Sequence, residues 1–317
     1  MAALICGVDV SSISLDARVG SQGSEARFEN SPEGVSRLVE FCRQHDVELV
    51  AMEATGGYEK LAFGLLWGSG LAVALLNPRS VRRFAQGMGL EEKTDRIDAG
   101  VIAWFAEVKK VAPTPPASAE QARLESLVTR LRQLTELHAA QRNQRLLVSE
   151  PSVLDSFSAL LALVKAQIRA LETSIAELIA ADPLWQQLDT AFRSIKGVAA
   201  RTVSRMMAEM PEIGTASNKA VSKLAGLAPL ARDSGKSQGK RVVRGGRRNV
   251  RSILYVVADI VRRYNPDFAA FALRLRAAGK PKRVIRIALA HKLLVRLNAK
   301  AREVRQQYSM ESCSSTC

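Results

Sequence analysis

Four acidic residues in the first hundred positions stand where they could hold a divalent cation. Asp9 lies near the end of the apolar run "LICGVDVSS" (4–12) and Glu53 closes "VELVAME" (47–53), so each reads as a carboxylate at the carboxyl end of a buried strand. Asp95 and Asp98 are three apart in "EEKTDRIDAGVIAWF", a spacing that puts both on one face of a helix continuing through Ile97, Val101, Ile102 and Phe105. Like charges so close repel unless a cation sits between them. Carboxylates at adjacent strand ends facing such a helix can hold two Mg²⁺ ions, which clamp the attacking and leaving oxygens of a phosphoryl transfer. Taken alone, Asp95 and Asp98 are equally acids favoured by the dipole of a helix N-terminus; the two strand-end acids tip the reading toward metal. Asp16, Glu59, Glu91 and Glu92 have no such placement and are expected to tolerate alanine.

A second stretch, "LARDSGKSQGKR" (230–241), contains Gly235-Lys236-Ser237 and so resembles the end of a phosphate-binding loop. That motif needs a glycine five positions before the Gly-Lys pair, where this chain has Leu230; Gly226 is too distant. It is not a P-loop. What remains is a serine, Ser234, between Asp233 and Gly235, followed by Lys236, Lys240, Arg241, Arg244, Arg247, Arg248 and Arg251 with no acid among them. Such a run could hold a scissile phosphate and its neighbours, although a solvated basic face has the same composition. A serine beside glycine is ordinarily a turn residue. To act as a nucleophile it needs a base or a metal, and His45, His138 and His291 suggest no triad spacing.

The elements that must carry these residues can be read from the pattern. After the first strand, "SLDARVG" and "EARFEN" read as a meander joined at Gly20–Gly23, and Val35, Leu38, Val39 and Cys42 mark the buried face of a helix over 32–46. A strand (47–53), a helix (58–67), a strand (71–77) and a helix from Pro78 follow. This alternation predicts an α/β domain with a mixed sheet over residues 1–117, ending at "PTPP". Residues 118–182 read as two long helices flanking Pro151. In the second, Phe157, Leu161, Val164, Ile168, Leu171, Ile175 and Leu178 alternate spacings of four and three, the seam of a coiled coil that is either an intrachain hairpin or an oligomer contact. Leu124, Leu127, Leu131 and Leu134 form the matching stripe in the first. Residues 183–310 read as mainly helical. Within them, "SIKGVAARTVSRMMAEM" (194–210) has the pattern of a helix–hairpin–helix whose glycine turn can offer N–H groups to a DNA phosphate, or of an ordinary capped turn. Residues 311–317 are expected to be a disordered tail.

Charge separates these segments. Residues 1–117 carry a net of −3, residues 118–182 a net of −1 and residues 183–317 a net of +19, so the last third supplies the whole excess of a chain at +15. A domain that basic meets a polyanion. Aromatic residues are 5% of the chain, too few for base-stacking platforms to be the main mode. The four cysteines lack metal or disulfide spacing and read as reduced thiols, and glycines break the uncharged stretch at 61–78. No signal peptide or membrane span is expected, which points to the cytoplasm and the nucleoid.

"GVDVS" (7–11), "MEATGGY" (52–58), "NPRSVRRFAQGMG" (77–89), "KTDRIDA" (93–99) and "GLAPLARDSGKSQGKR…GGRRNVRSILY" (226–255) occur here in the order found in the insertion-sequence 110 family of transposases, which the chain resembles over nearly its whole length. The resemblance implies an RNase H/RuvC-like DEDD domain, a helical coiled-coil connector and a mainly α-helical C-terminal transposase domain. It implies a recombinase that excises and inserts a mobile element, guided by a structured non-coding bridge RNA and acting on double-stranded donor and target DNA. It assigns Asp9, Glu53, Asp95 and Asp98 as ligands of Mg²⁺, with Mn²⁺ as a substitute, and Ser234 as the nucleophile. It also implies dimers that pair into tetramers, with acids and serine supplied by different subunits. Three other readings stay open on the residues alone. A metal-only nuclease or junction resolvase would leave Ser234 idle, and a nucleic-acid binder without catalysis would not need the acids. A sugar-kinase-like fold should bring glycine-rich phosphate loops, which are not found.

Overall fold

The computed structural model describes residues 4–90, 95–230, 233–234, 237–239 and 241–314, and the chain divides into two compact units, Met1–Ala117 and Ser118–Cys317.

The first unit is built on five strands, β1 (Ile5–Val10), β2 (Ser14–Val19), β3 (Glu25–Glu29), β4 (Leu49–Glu53) and β5 (Ala72–Leu76). Their order is β3-β2-β1-β4-β5; the first three form the antiparallel meander, and β4 and β5 add parallel to β1. Parallel neighbours need crossovers, supplied by α1 (Pro32–Gln44) and α2 (Glu59–Gly68). Ser31 caps α1 by accepting from Gly34 N–H, with Pro32 in the first turn. Alternation along β1 sends Cys6, Val8 and Val10 into a core with Val35, Leu38, Cys42 and Leu66 beneath α1 and α2. Ile5, with Leu49 and Ala51 of β4, enters a second core under α3 (Pro78–Gly87) and α4 (Asp95–Lys109), closed by Val81, Ile102 and Phe105. The sheet is therefore covered on both faces. Cys6 and Cys42 are buried free thiols; the hydrogen bond that the Cys6 S–H donates to Cys42 and burial together push the Cys6 thiol well above its ordinary value.

The second unit begins with the helical pair α5 (Ala119–Arg145) and α6 (Pro151–Ala181), then α7 (Pro183–Arg193), α8 (Ala200–Glu209) and α9 (Asn218–Leu224). A short hairpin of β6 (Asp233–Ser234) and β7 (Ser237–Gln238) precedes α10 (Arg248–Tyr264), α11 (Pro266–Ala277) and α12 (Lys282–Ser314). The leucine stripe of α5 meets α6 of the same chain: Leu124, Leu131 and Leu134 are buried with Val164, Ile168, Ile175 and Leu178. That pair shares one core with α7, α8, α10 and α12 through Phe192, Met206, Leu254 and Leu293. Residues 118–182 are thus the first part of the helical unit rather than a spacer with a core of its own. α12 also differs from expectation. Nothing between Glu303 and Ser314 is glycine or proline, and the helix runs through the first four residues of the expected tail to Ser314. Among the described residues no helix is long and apolar enough to cross a membrane.

Candidate active site

Register places the first two acids side by side. Val8 of β1 pairs with Met52 of β4, so the next residues along these parallel strands, Asp9 and Glu53, are neighbours at the carboxyl end of the sheet. By the two-residue period they share the face of Ile5, Leu49 and Ala51, the face covered by α4. Both are half-buried, as is Asp98 on α4. Glycine at position 7 lets that helix lie against β1: a Cβ there would stand 2.1 Å from Ala99 O and 2.6 Å from Ala103 N. Ala99 follows Asp98 directly, so this close strand–helix crossing lies one residue from Asp98 and two from Asp9. Asp95 opens α4, with its side chain outside the described residues. Among the described residues no three His, Cys, Asp or Glu side chains gather closely enough to hold a metal. The donor set itself, carboxylate oxygen throughout, suits a hard cation such as Mg²⁺.

Two acids expected to be dispensable have structural work of their own. Glu59 is 8% exposed, and its Oε2 accepts from Thr55 N–H (3.1 Å), Thr55 Oγ1 (3.0 Å) and Gly57 N–H (2.8 Å), tying down the turn that leaves Glu53. Burial pushes this carboxyl up, but the backbone and Thr55 donors outweigh it and hold the group below the ordinary 4.5. Asp16, also buried, is the cross-strand partner of Asp9 and lies 3.6 Å from Arg27 Nε. Alanine at either position leaves donors or a guanidinium without its acceptor. Glu91 and Glu92 lie outside the described residues.

Ser234 ends β6 and pairs directly with Ser237 of β7, while Leu230 and Val242 bridge further down. The stretch that resembles the end of a phosphate-binding loop therefore has a hairpin in it, with Ser234 and Ser237 paired across the ladder and two residues between them. Lys236 and Lys240 fall outside the described residues. Arg241, Arg244 and Arg248 are exposed. Arg247 and Arg251 are engaged within the unit. Arg247 makes a two-pronged pair with Glu212, both N–O distances 2.5 Å, and its N–H donates to Leu224 O at 2.7 Å. Burial would raise the Glu212 carboxyl, yet the Arg247 pairing holds it below its ordinary value. Arg251 Nη1 donates to Gly245 O at 2.5 Å. Between them Gly226 and Gly246 cross: a Cβ on Gly246 would lie 2.3 Å from Gly226 N. Both glycines have positive φ, +65° and +63°, which a side chain would strain.

The glycine turn between α7 and α8 has Gly197 at φ +99°, packed so that a Cβ would stand 3.0 Å from Val261 Cα on α10. This is a helix–turn–helix seated on the third helix. The structure also makes a serine–histidine contact that the spacing did not suggest: Ser222 Oγ is 3.0 Å from His291 Nε2. The hydroxyl donates to Asn218 O at 2.6 Å, so it accepts from the ring rather than giving up a proton to it. The pair braces α9 against α12.

A family profile described as "Transposase", of the DEDD type, matches residues 6–148, and one described as "Transposase IS116/IS110/IS902 family" matches residues 189–273. The chain is 27% identical over 311 residues to the pilin gene-inverting protein of Moraxella bovis, covering 91% of this chain and 92% of the relative, and equally similar to the protein of that name from Moraxella lacunata. It is 28% identical over 221 residues to the insertion element IS110 uncharacterized 43.6 kDa protein of Streptomyces coelicolor, covering 66% of this chain and 53% of the relative. An α/β unit with acids at its strand ends and a basic helical unit, each matched to a transposase profile in chain order, define an enzyme of DNA recombination. Both profiles are of IS110-type transposases, and together they span most of the sequence: the chain belongs to the IS110 family of transposases.

Proposed function

We propose that this chain excises and inserts, or inverts, a DNA segment through a covalent serine intermediate, on an N-terminal unit of the RuvC-like kind and with a structured non-coding RNA choosing the site. The observation that carries the reading is the adjacency of Asp9 and Glu53 at neighbouring parallel strand ends, one residue past the Val8–Met52 pair, on the face where α4 brings Asp98. The meander followed by parallel strands, in the order β3-β2-β1-β4-β5, supports the fold assignment.

In this mechanism Asp9, Glu53, Asp95 and Asp98 hold Mg²⁺. When bound, the cation supplies Lewis-acid stabilisation of charge growing on the phosphate oxygens. Ser234 Oγ attacks phosphorus, forming a serine–phosphate ester as the bond to the departing deoxyribose oxygen breaks, and the proton lost by the hydroxyl is balanced by one gained, through solvent, by that departing oxygen, which leaves as a free hydroxyl. Arg241, Arg244 and Arg248 hold neighbouring phosphates, while Arg247 and Arg251 fix the base of the hairpin that carries Ser234. Acids and serine belong to different units, so a dimer or a tetramer can build the site from two chains. The exposed leucines Leu146 and Leu147, which lie between α5 and α6, support contact between copies.

The metal assignment is tested by strand cleavage in Mg²⁺. Asp9→Ala, Glu53→Ala, Asp95→Ala and Asp98→Ala should each lower cleavage at least a hundredfold while nucleic-acid binding stays near the parent's, since loss of one positioned catalytic group costs about 10²-fold or more. Near-normal cleavage by the Asp95 and Asp98 variants would overturn it.

A further inference from the structure

α10, α11 and α12 enclose a cleft of about 380 Å³ whose chemistry the catalytic site does not use. Its floor is apolar, with Ile285 8% exposed and Leu289 1% exposed. Its walls are cationic. From α11 comes Arg276, and from the first turns of α12 come Lys282, Arg283 and Arg286. No acid occurs anywhere between Asp267 and Glu303. The carboxylate that does line the cleft, Asp259, is already neutralised by Arg262 at 3.0 Å and Arg263 at 3.3 Å. Arg276, Lys282 and Arg283 are exposed, and among the described residues no carboxylate pairs with them. Arg286 is set in advance: its Nε donates to Tyr255 O at 2.8 Å and its guanidinium lies 4.3 Å above the Tyr255 ring.

We propose that this cleft is a seat for duplex DNA, gripping its phosphate backbone away from the Ser234 hairpin. Arg276, Lys282 and Arg283, with no carboxylate paired to them among the described residues, and Arg286, which shares Asp259 with Arg262 and Arg263, match a run of phosphates, whose neutralisation releases condensed counterions. The cleft offers no platform for unpaired bases, because its tyrosine ring is already covered by Arg286. Single-stranded loops and ends are bound largely by stacking on such rings, so a paired duplex is the occupant this surface fits. Arg276, Lys282, Arg283 and Arg286 also lie beyond residue 273, where the second family match ends. The seat needs only that the protein binds DNA and is independent of the serine chemistry.

The test is duplex binding by the full chain across a salt series, with a duplex of arbitrary sequence and a folded RNA hairpin as separate probes. The variant Arg276→Ala/Lys282→Ala/Arg283→Ala should flatten the slope of log K against log[salt] for DNA by about two to three, at about 0.9 for each phosphate no longer neutralised, with RNA binding much less affected. The variant Arg244→Ala/Arg248→Ala should lower DNA affinity by a further factor when combined with it, as expected of separate contacts. An unchanged DNA slope in the cleft variant overturns the proposal. So does a loss confined to the RNA probe. If the triple variant melts early, Lys282→Glu alone, an exposed charge at the start of α12, must weaken DNA binding or the proposal fails. None of these readings depends on whether Ser234 forms an adduct.

Discussion

Glu59 shows how one side chain shapes a site without touching it. Its carboxylate collects three donors from the turn after Glu53, and hydrogen bonds to a charged acceptor are worth about 1.5–3 kcal/mol. Glu59→Ala should therefore cost about 1–3 kcal/mol by urea unfolding at neutral pH; a variant as stable as the parent would contradict the role. The acid dependence follows from its depressed pKa. A carboxyl held lower in the folded chain than in the unfolded one adds stability above its unfolded value and loses it as pH falls through the folded value. Glu59→Gln should accordingly flatten the loss of stability below about 4.5, the ordinary glutamate value. Little of this could be read from sequence, since nothing in "MEATGGYE" says where the Thr55 and Gly57 N–H groups point. The strand-end placement of Asp9 and Glu53 was legible because apolar runs ending in acids have few alternative readings. The Arg247–Glu212 pair was not, its partners being 35 positions apart.

At the scale of elements, the crossing of β1 and α4 positions two of the acids relative to one another. Gly7→Ala must push α4 away, because the added methyl would sit inside the contact distance of Ala99 O. Overpacking of this kind costs about 1–3 kcal/mol, and a displacement near 1 Å at a catalytic group costs about 10²-fold in rate. Gly7→Ala should lower cleavage by that order in variants that still fold, while Gly64→Ala in α2, with nothing within 4 Å of its added methyl, should leave cleavage unchanged. Parental cleavage by Gly7→Ala would remove the crossing from the account. The strands and helices of the first unit followed from periodicity. The β6–β7 hairpin did not, because strands of two polar residues leave no alternation to read. The seam of α6 was legible as a stripe, but what covers it was not: heptad spacing is the same whether the partner helix belongs to the same chain or to another.

For the whole molecule, charge and chemistry are divided between the two units. The N-terminal unit carries the acids at −3, and the last third carries the serine and a net of +19. Composition made that division of charge plain. In the proposed mechanism the acids come from the first unit and the serine from the second. The account therefore stands on Ser234 as the atom that bonds to DNA, and the hairpin supplies its own control in Ser237, paired directly opposite. The decisive measurement is a denaturing gel of the full-length protein, incubated with labelled DNA, guide RNA and Mg²⁺. The parent and Ser237→Ala should carry label covalently, and Ser234→Ala should bind the same nucleic acids yet carry none. A labelled band that persists in Ser234→Ala would contradict the account.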